Sequence, residues 1–115
     1  MTNQERAQLQ RLEQFAAVLA ADHEQLRPRQ LVLLAQIAMK PGLTQRDLAR
    51  LVGLTPSAIT RNLDTLGCDG RPEMGRSGLC WIEAKPSFEN DREKHIFLTE
   101  SGQRMMQTLL AVLWP

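Results

Sequence analysis

The sequence has no apolar run approaching about 18 residues, so it offers no helix that could span a membrane. Its first residues, MTNQERAQLQRLEQ, are polar and carry both signs of charge. They lack the charged-then-apolar layout of a secretory signal, and this points to a cytosolic protein. Charge of one sign is not in excess. The chain has 14 Lys and Arg against 13 Asp and Glu, a formal net charge of +1, which excludes a polybasic tail and a strongly disordered chain. Internal repeats and low-complexity tracts are absent. Cysteine is scarce, with only Cys68 and Cys80, and in a cytosolic protein both are expected as free thiols. With His23 and His95 they do not show zinc-ligand spacing, so no metal site is assigned. No Gly-rich phosphate loop follows a strand, and no Ser/His/Asp set is suggested by context. No cofactor and no catalytic residue are therefore assigned, and an enzyme is the least supported class.

What is present suits one core. The 115 residues are 43% hydrophobic, enough for a single domain over residues 1–115 and too few for a second. Residues 3–23 place Leu9, Leu12, Phe15, Ala16 and Leu19 on one face at a spacing of three and four, the mark of an amphipathic helix. That stripe can pack on its own domain, on a second copy, or on both. Pro28 suits a helix start, because its missing N–H costs nothing there. The run Leu31 to Met39 is apolar nearly all round and predicts a buried central helix that ends at Pro41-Gly42. In the stretch 44–66, Thr44 caps a helix holding Leu48, Ala49 and Val52 inward, and Gly53 closes it in a left-handed turn. Thr55 then caps a second helix with Pro56 in its first position. Two short helices about a Gly-containing turn make a helix-turn-helix.

After Gly67 the composition shifts. Cys68 to Gly78 is rich in Gly, Arg and turn formers and reads as a loop. Leu79-Cys80-Trp81-Ile82 and His95-Ile96-Phe97-Leu98 read as paired strands, giving a hairpin over residues 79–98 with a long charged tip. Thr99 caps a last helix, 99–114. The fold class is mainly α with a small β-hairpin, in the order of a winged helix-turn-helix.

The segment GLTQRDLARLVGLTPSAITRNLDTLG resembles the helix-turn-helix of the MarR family of bacterial transcription regulators. FENDREKHIFLTESG is similar to that family's wing, with Leu98, Thr99 and Gly102 matching the return and Arg92 matching the second Arg of the tip. Asn90 and Asp91 depart from the family's Asp and Arg. The loop after the second helix is longer than usual, and one C-terminal helix stands where a longer helical pair is common. Such a trimmed plan suits a phage- or plasmid-encoded relative. The resemblance implies a homodimeric, sequence-specific reader of double-stranded DNA. Repression is the family's commoner mode, and no effector ligand is named by these residues.

Helical geometry supplies the candidate contacts. Ile59, Leu63 and Leu66 share the core face of the second helix, whereas Ser57, Thr60, Arg61 and Asp64 lie opposite at 100° per residue. Arg61 has the reach for a bidentate contact with a guanine edge in the major groove, and Ser57 and Thr60 can bond bases or phosphates. Thr55 and the first-turn N–H groups suit a phosphate. Asn62 flanks the core face, where it can cap a neighbour or reach an adenine. In the wing, Lys85, Arg92 and Lys94 are placed for the minor groove or the phosphates; Arg92 could instead pair with Glu89 or Asp91. Arg71 and Arg76 could add phosphate contacts or be idle. A dimer interface is read on Leu12, Phe15 and Leu19 with Met105, Leu109, Leu113 and Trp114, since a large apolar patch on a monomer usually marks an interface. The rival reading is a winged helix used as a protein-interaction module, which the near-neutral charge keeps open. The leading reading places the protein in the cytoplasm, on the nucleoid when bound to DNA.

Overall fold

The structure is a computed structural model, and it describes residues 1–22, 26–68, 78–86 and 93–115. Among the described residues five helices and three short strands follow one another as α1 (Asn3–Asp22), α2 (Pro28–Met39), β1 (Leu43–Thr44), α3 (Gln45–Val52), α4 (Pro56–Leu66), β2 (Ile82–Pro86), β3 (Lys94–Leu98) and α5 (Glu100–Leu113).

Local chemistry sets most of the boundaries. Pro28 opens α2, and the buried Gln30 turns its amide oxygen back to accept the Arg27 N–H at 2.9 Å. Thr44 and Asp47 form a reciprocal capping box on α3. The Thr44 hydroxyl accepts the Asp47 N–H at 3.1 Å, and the Asp47 carboxylate accepts the Thr44 N–H at 3.4 Å. Gly53 ends α3 at φ +74°, a conformation in which a β carbon would be disfavoured. Thr55 caps α4 through the Ala58 N–H, and Thr99 caps α5 through the Gly102 N–H.

One cluster forms the core: Leu33, Leu34 and Ile37 of α2, Leu48 of α3, Ile59, Leu63 and Leu66 of α4, with Trp81, Ile82 and Ile96. Met105 and Met106 fill in from α5, as the adaptable shape of methionine allows. The expected central role of α2 thus holds on one face. Its other face is wet, with Val32 and Met39 exposed.

The sheet has three antiparallel strands in the order β1-β3-β2, one more than the hairpin read from sequence. Two residues suffice for β1: Leu43 pairs Ile96 and Thr44 pairs His95, and the Gly42 N–H donates to the Ile96 carbonyl at 2.9 Å. His95 Nδ1 lies 2.7 Å from the Gly42 carbonyl oxygen, a contact that needs the proton on Nδ1 and makes the residue a structural one.

Three expectations are corrected. The first strand begins at Ile82, not Leu79, because the backbone of 79–81 is spent elsewhere. The N–H groups of Leu79, Cys80 and Trp81 donate to the carbonyls of Thr65, Gly67 and Leu66 at the end of α4. That pairing also overturns the free thiols. It brings Cys80 beside Cys68, their Cα atoms 4.1 Å apart, and the two are joined as a disulfide. Finally, Leu109, expected on a dimer face, is only 2% exposed within its own chain, on a helix that packs against α1 and β3.

Candidate nucleic-acid interface

The inner face of α4 is full. Ile59 and Leu66 are completely enclosed and Leu63 nearly so, which turns the opposite face outward. Ser57, Thr60 and Arg61 are exposed on it, with Thr55 exposed at the cap and Asp64 half-buried further along. The structure therefore brings four of the five predicted helix residues together on one open surface. Asp64 lies at its margin.

The first turn of α4 is arranged to leave one donor over. Pro56 has no N–H, the Ala58 N–H goes to the Thr55 hydroxyl at 3.2 Å, and the Ile59 N–H goes to the Thr55 carbonyl at 2.9 Å. Helix geometry leaves the Ser57 N–H unpaired at the positive end of the helix dipole, beside the Ser57 hydroxyl. Such a pair of donors suits an anionic oxygen.

Thr60 is more constrained than the sequence suggested. Its hydroxyl donates to the Pro56 carbonyl at 3.0 Å and accepts from Gln45 Nε2 at 2.8 Å. Gln45, in the first turn of α3, was not among the expected residues. It ties α3 to the outer face of α4 and fixes the angle at which that face is shown. Only the three-dimensional crossing of the two helices places it there, since 15 residues separate the partners. Asn62, left open between two roles, donates to the Ala58 carbonyl at 2.7 Å, so its side chain lies back along its own helix.

In the wing, Lys85 and Lys94 are both exposed and belong to adjacent strands, Lys85 opposite His95 and Lys94 opposite Pro86. Lys85 sits in β2. Its ammonium is 3.3 Å from the Glu83 carboxylate and 5.3 Å from the centre of the Phe97 ring. Arg92, Arg71 and Arg76 lie outside the described residues. Among the described residues no group of three or more His, Cys, Asp or Glu could hold a metal, and no helix is long and apolar enough to cross a membrane.

Of the remaining predicted positions, Leu12 and Trp114 are 55% and 72% exposed, whereas Phe15, Leu19, Met105 and Leu113 are half-buried. Leu9 and Leu110 add to the exposed apolar surface of α1 and α5. These helices pack together and lengthen the molecule to 54 Å against 31 and 26 Å in the other directions. The radius of gyration, 15.7 Å, exceeds the roughly 13 Å of a compact chain of this length.

A helix-turn-helix backed by a three-stranded sheet, with an open face on its second helix, defines a winged helix-turn-helix protein. The chain is MarR-like: the profile of the MarR family matches residues 24–66, ending at the last residue of α4. The solved structure of MarR superposes with a TM-score of 0.63 at 25% identity, covering 91% of this chain and 69% of that one. Streptococcus pneumoniae FabT, solved in complex with DNA, gives 0.63 at 18% identity over 83% of this chain and 60% of its own. The transcriptional repressor CouR, bound to a DNA duplex, gives 0.64 at 24% identity over 95% and 68%. The last two likenesses are likenesses of fold. A comparison with curated protein sequences finds no match.

Proposed function

We propose that this protein is a sequence-specific double-stranded DNA-binding transcription regulator, a cytoplasmic repressor that works as a homodimer. The whole chain, 1–115, acts as one winged-helix unit. The observation that carries the reading is the outer face of α4. A helix buried along Ile59, Leu63 and Leu66 presents Ser57, Thr60 and Arg61 to solvent at its N-terminal half, the half that leads into a major groove. Arg61 reads a guanine edge, Ser57 and Thr55 hold a phosphate, and Thr60, braced by Gln45, sets the depth of entry. Asp64 borders this contact. Lys94, Lys85 and Arg92 carry the wing to the minor groove or the phosphates. The exposed apolar surface of Leu12 and Trp114, with the half-buried Phe15, Leu19, Met105 and Leu113 around it, meets a second copy. A two-fold pair sets two α4 helices about 34 Å apart and so requires a near-palindromic site.

The test is a selection from random duplexes at low salt, followed by affinity measurements across a salt series. A DNA reader binds random duplex weakly and salt-dependently, and enriches an inverted repeat. Replacing Arg92 by Ala should lower the salt slope by about one unit with little change in base preference. Absence of binding even at low salt would discard the reading in favour of a protein-docking winged helix.

A further inference from the structure

A groove of about 420 Å³ opens where the end of α2, β1 and the outer side of α3 meet. Lys40, Leu43, Asp47, Arg50 and Leu51 line it. Helix geometry sets this grouping apart from the α4 face. Leu48 is fully buried and fixes the inner side of α3, and Gln45 turns to Thr60 on the outer face of α4. At 3.6 residues per turn, Arg50 and Leu51 stand roughly 120–140° around α3 from Gln45. Both are exposed.

The lining combines two chemistries. Its apolar part is Leu51, which keeps 50% of its surface exposed, and the half-buried Leu43. Met39, the chain neighbour of Lys40, is 66% exposed. Its charged part is basic. Among the described residues neither Lys40 nor Arg50 has a carboxylate within ion-pair distance. The one acid in the lining, Asp47, has its carboxylate turned to the Thr44 N–H at 3.4 Å, where it caps α3. A single exposed leucine needs no explanation. Exposed leucine beside two unpaired cations is complementary to an apolar surface bordered by carboxylates.

The form of that surface follows from what the groove withholds. An added strand finds little to pair with, since β1 is two residues long and the Thr44 N–H is already taken by Asp47. A small ligand is buried over most of its surface in its pocket, whereas this groove is open to solvent. A helix laid across the groove covers it with side chains alone.

We propose that this groove docks an acidic amphipathic helix of another protein. Apolar side chains of that helix cover Leu43 and Leu51, and its carboxylates pair with Lys40 and Arg50. The groove and the α4 face are on different sides of the helix-turn-helix, so the partner can dock while α4 is on DNA. The docking itself does not depend on the DNA-binding reading.

The test titrates the isotope-labelled full chain with a synthetic helical peptide of about 16 residues, long enough to hold a helix. Its leucines fall at i, i+3, i+4 and i+7, with glutamates on either side of that stripe. Amide shifts should saturate and should concentrate on residues 40–51. The same peptide with lysine for glutamate, or with alanine for leucine, should bind at least about tenfold more weakly. Lys40→Gln combined with Arg50→Gln should weaken the glutamate peptide at least about fivefold and erase its advantage over the lysine peptide. Leu51→Ala should also cost at least about fivefold. Circular dichroism checks the variants' fold; if one fails, the peptide series on the wild type decides. No saturable shift, shifts centred on α1 and α5, or equal binding of the glutamate and lysine peptides would overturn the proposal. So would displacement of the peptide by an equal concentration of octanoate, which would make the groove a small-carboxylate site. A lower salt slope of duplex binding in the double glutamine variant would give the cations to DNA instead. Loss of a dimer in Leu51→Ala would give the groove to a second copy. If the wild type binds no duplex, the DNA-binding reading fails, and the peptide titration still decides the docking.

Discussion

Two glycines of this fold should respond to the same substitution for different reasons. Gly53, in the turn between α3 and α4, has φ +74° and ψ +37°, and a β carbon built there meets nothing within 4 Å. The cost of Gly53→Ala is therefore conformational alone: about 1–2 kcal/mol for placing an L side chain in the left-handed region. The stiffer unfolded chain gives back about 0.4–1 kcal/mol. The net loss is between about 0 and 1.6 kcal/mol, at most roughly 7 °C in Tm for a chain of this size. Gly53→Asn should cost less, since asparagine tolerates this conformation. Gly102 is in ordinary helical backbone, but a β carbon there overlaps the carbonyl of Trp81. Main-chain atoms cannot step aside as a flexible side chain can, so α5 must lift from the core. We expect Gly102→Ala to lose about 3 kcal/mol or more, beyond the roughly 1 kcal/mol that alanine gains in helix propensity. Urea unfolding of both variants in one redox buffer, followed by two probes, measures the difference. If Gly53→Ala costs as much as Gly102→Ala, or if Gly102→Ala is neutral, the separation of backbone strain from steric overlap is wrong.

Other outcomes follow from the proposed interface and from α1. Arg61→Ala should leave circular dichroism unchanged and weaken binding to a selected operator by about 1–3 kcal/mol, roughly 5- to 150-fold; unchanged affinity would remove Arg61 from the base contact. Leu12→Glu places a charge on the exposed apolar stripe of α1 without touching the core, and it should shift sedimentation at micromolar concentration from dimer toward monomer. The Glu5 carboxyl is held below its ordinary range, first by the Thr2 N–H and then by the Thr2 hydroxyl. Because the folded value is depressed, this contribution is present above the unfolded pKa and is lost as pH falls through the folded one. Protection of the first-turn amides of α1, relative to their intrinsic exchange rates, should therefore fall as Glu5 is protonated at low pH, and Glu5→Gln should abolish that dependence.

The helices were legible because their signals are local. Pro28, Thr44, Gly53, Thr55, Pro56 and Thr99 each act within four residues of themselves, and each stands where the spacing put it. The misreadings all involve partners distant in the chain. Leu79-Cys80-Trp81 has the composition of a strand, yet its donors go to carbonyls of Thr65, Leu66 and Gly67 that α4 leaves over at its end. The same docking brings Cys68 to Cys80 across a separation of 12, which no rule about compartment or spacing anticipates. Leu109 shares a stripe with Leu113, but the packing of α5 encloses the first and leaves the second half-buried. On the outer face of α4, helical periodicity placed Ser57, Thr60 and Arg61 toward solvent, where they stand. It could not locate Gln45, whose role exists only because α3 crosses α4.

The near-neutral charge bears on how such an interface could hold DNA at all. The proposed contacts include four cations, Arg61 on α4 and Lys85, Arg92 and Lys94 in the wing. Arg61 is assigned to a base, which leaves Lys85, Arg92 and Lys94, about three, for phosphates. With three contacts the affinity of one copy should vary with salt at a slope of about −2.7, and of two copies on one duplex at about −5. A single copy should then have little hold at physiological salt, and specific binding is expected to depend on the proposed pairing through α1 and α5. The decisive comparison is the salt slope of wild type against Leu12→Glu on the same inverted repeat. Halving of the slope together with loss of the dimer supports this account. A monomeric variant that kept the full slope and bound one half-site tightly would refute it, and would mean that the charge for DNA binding resides within each copy.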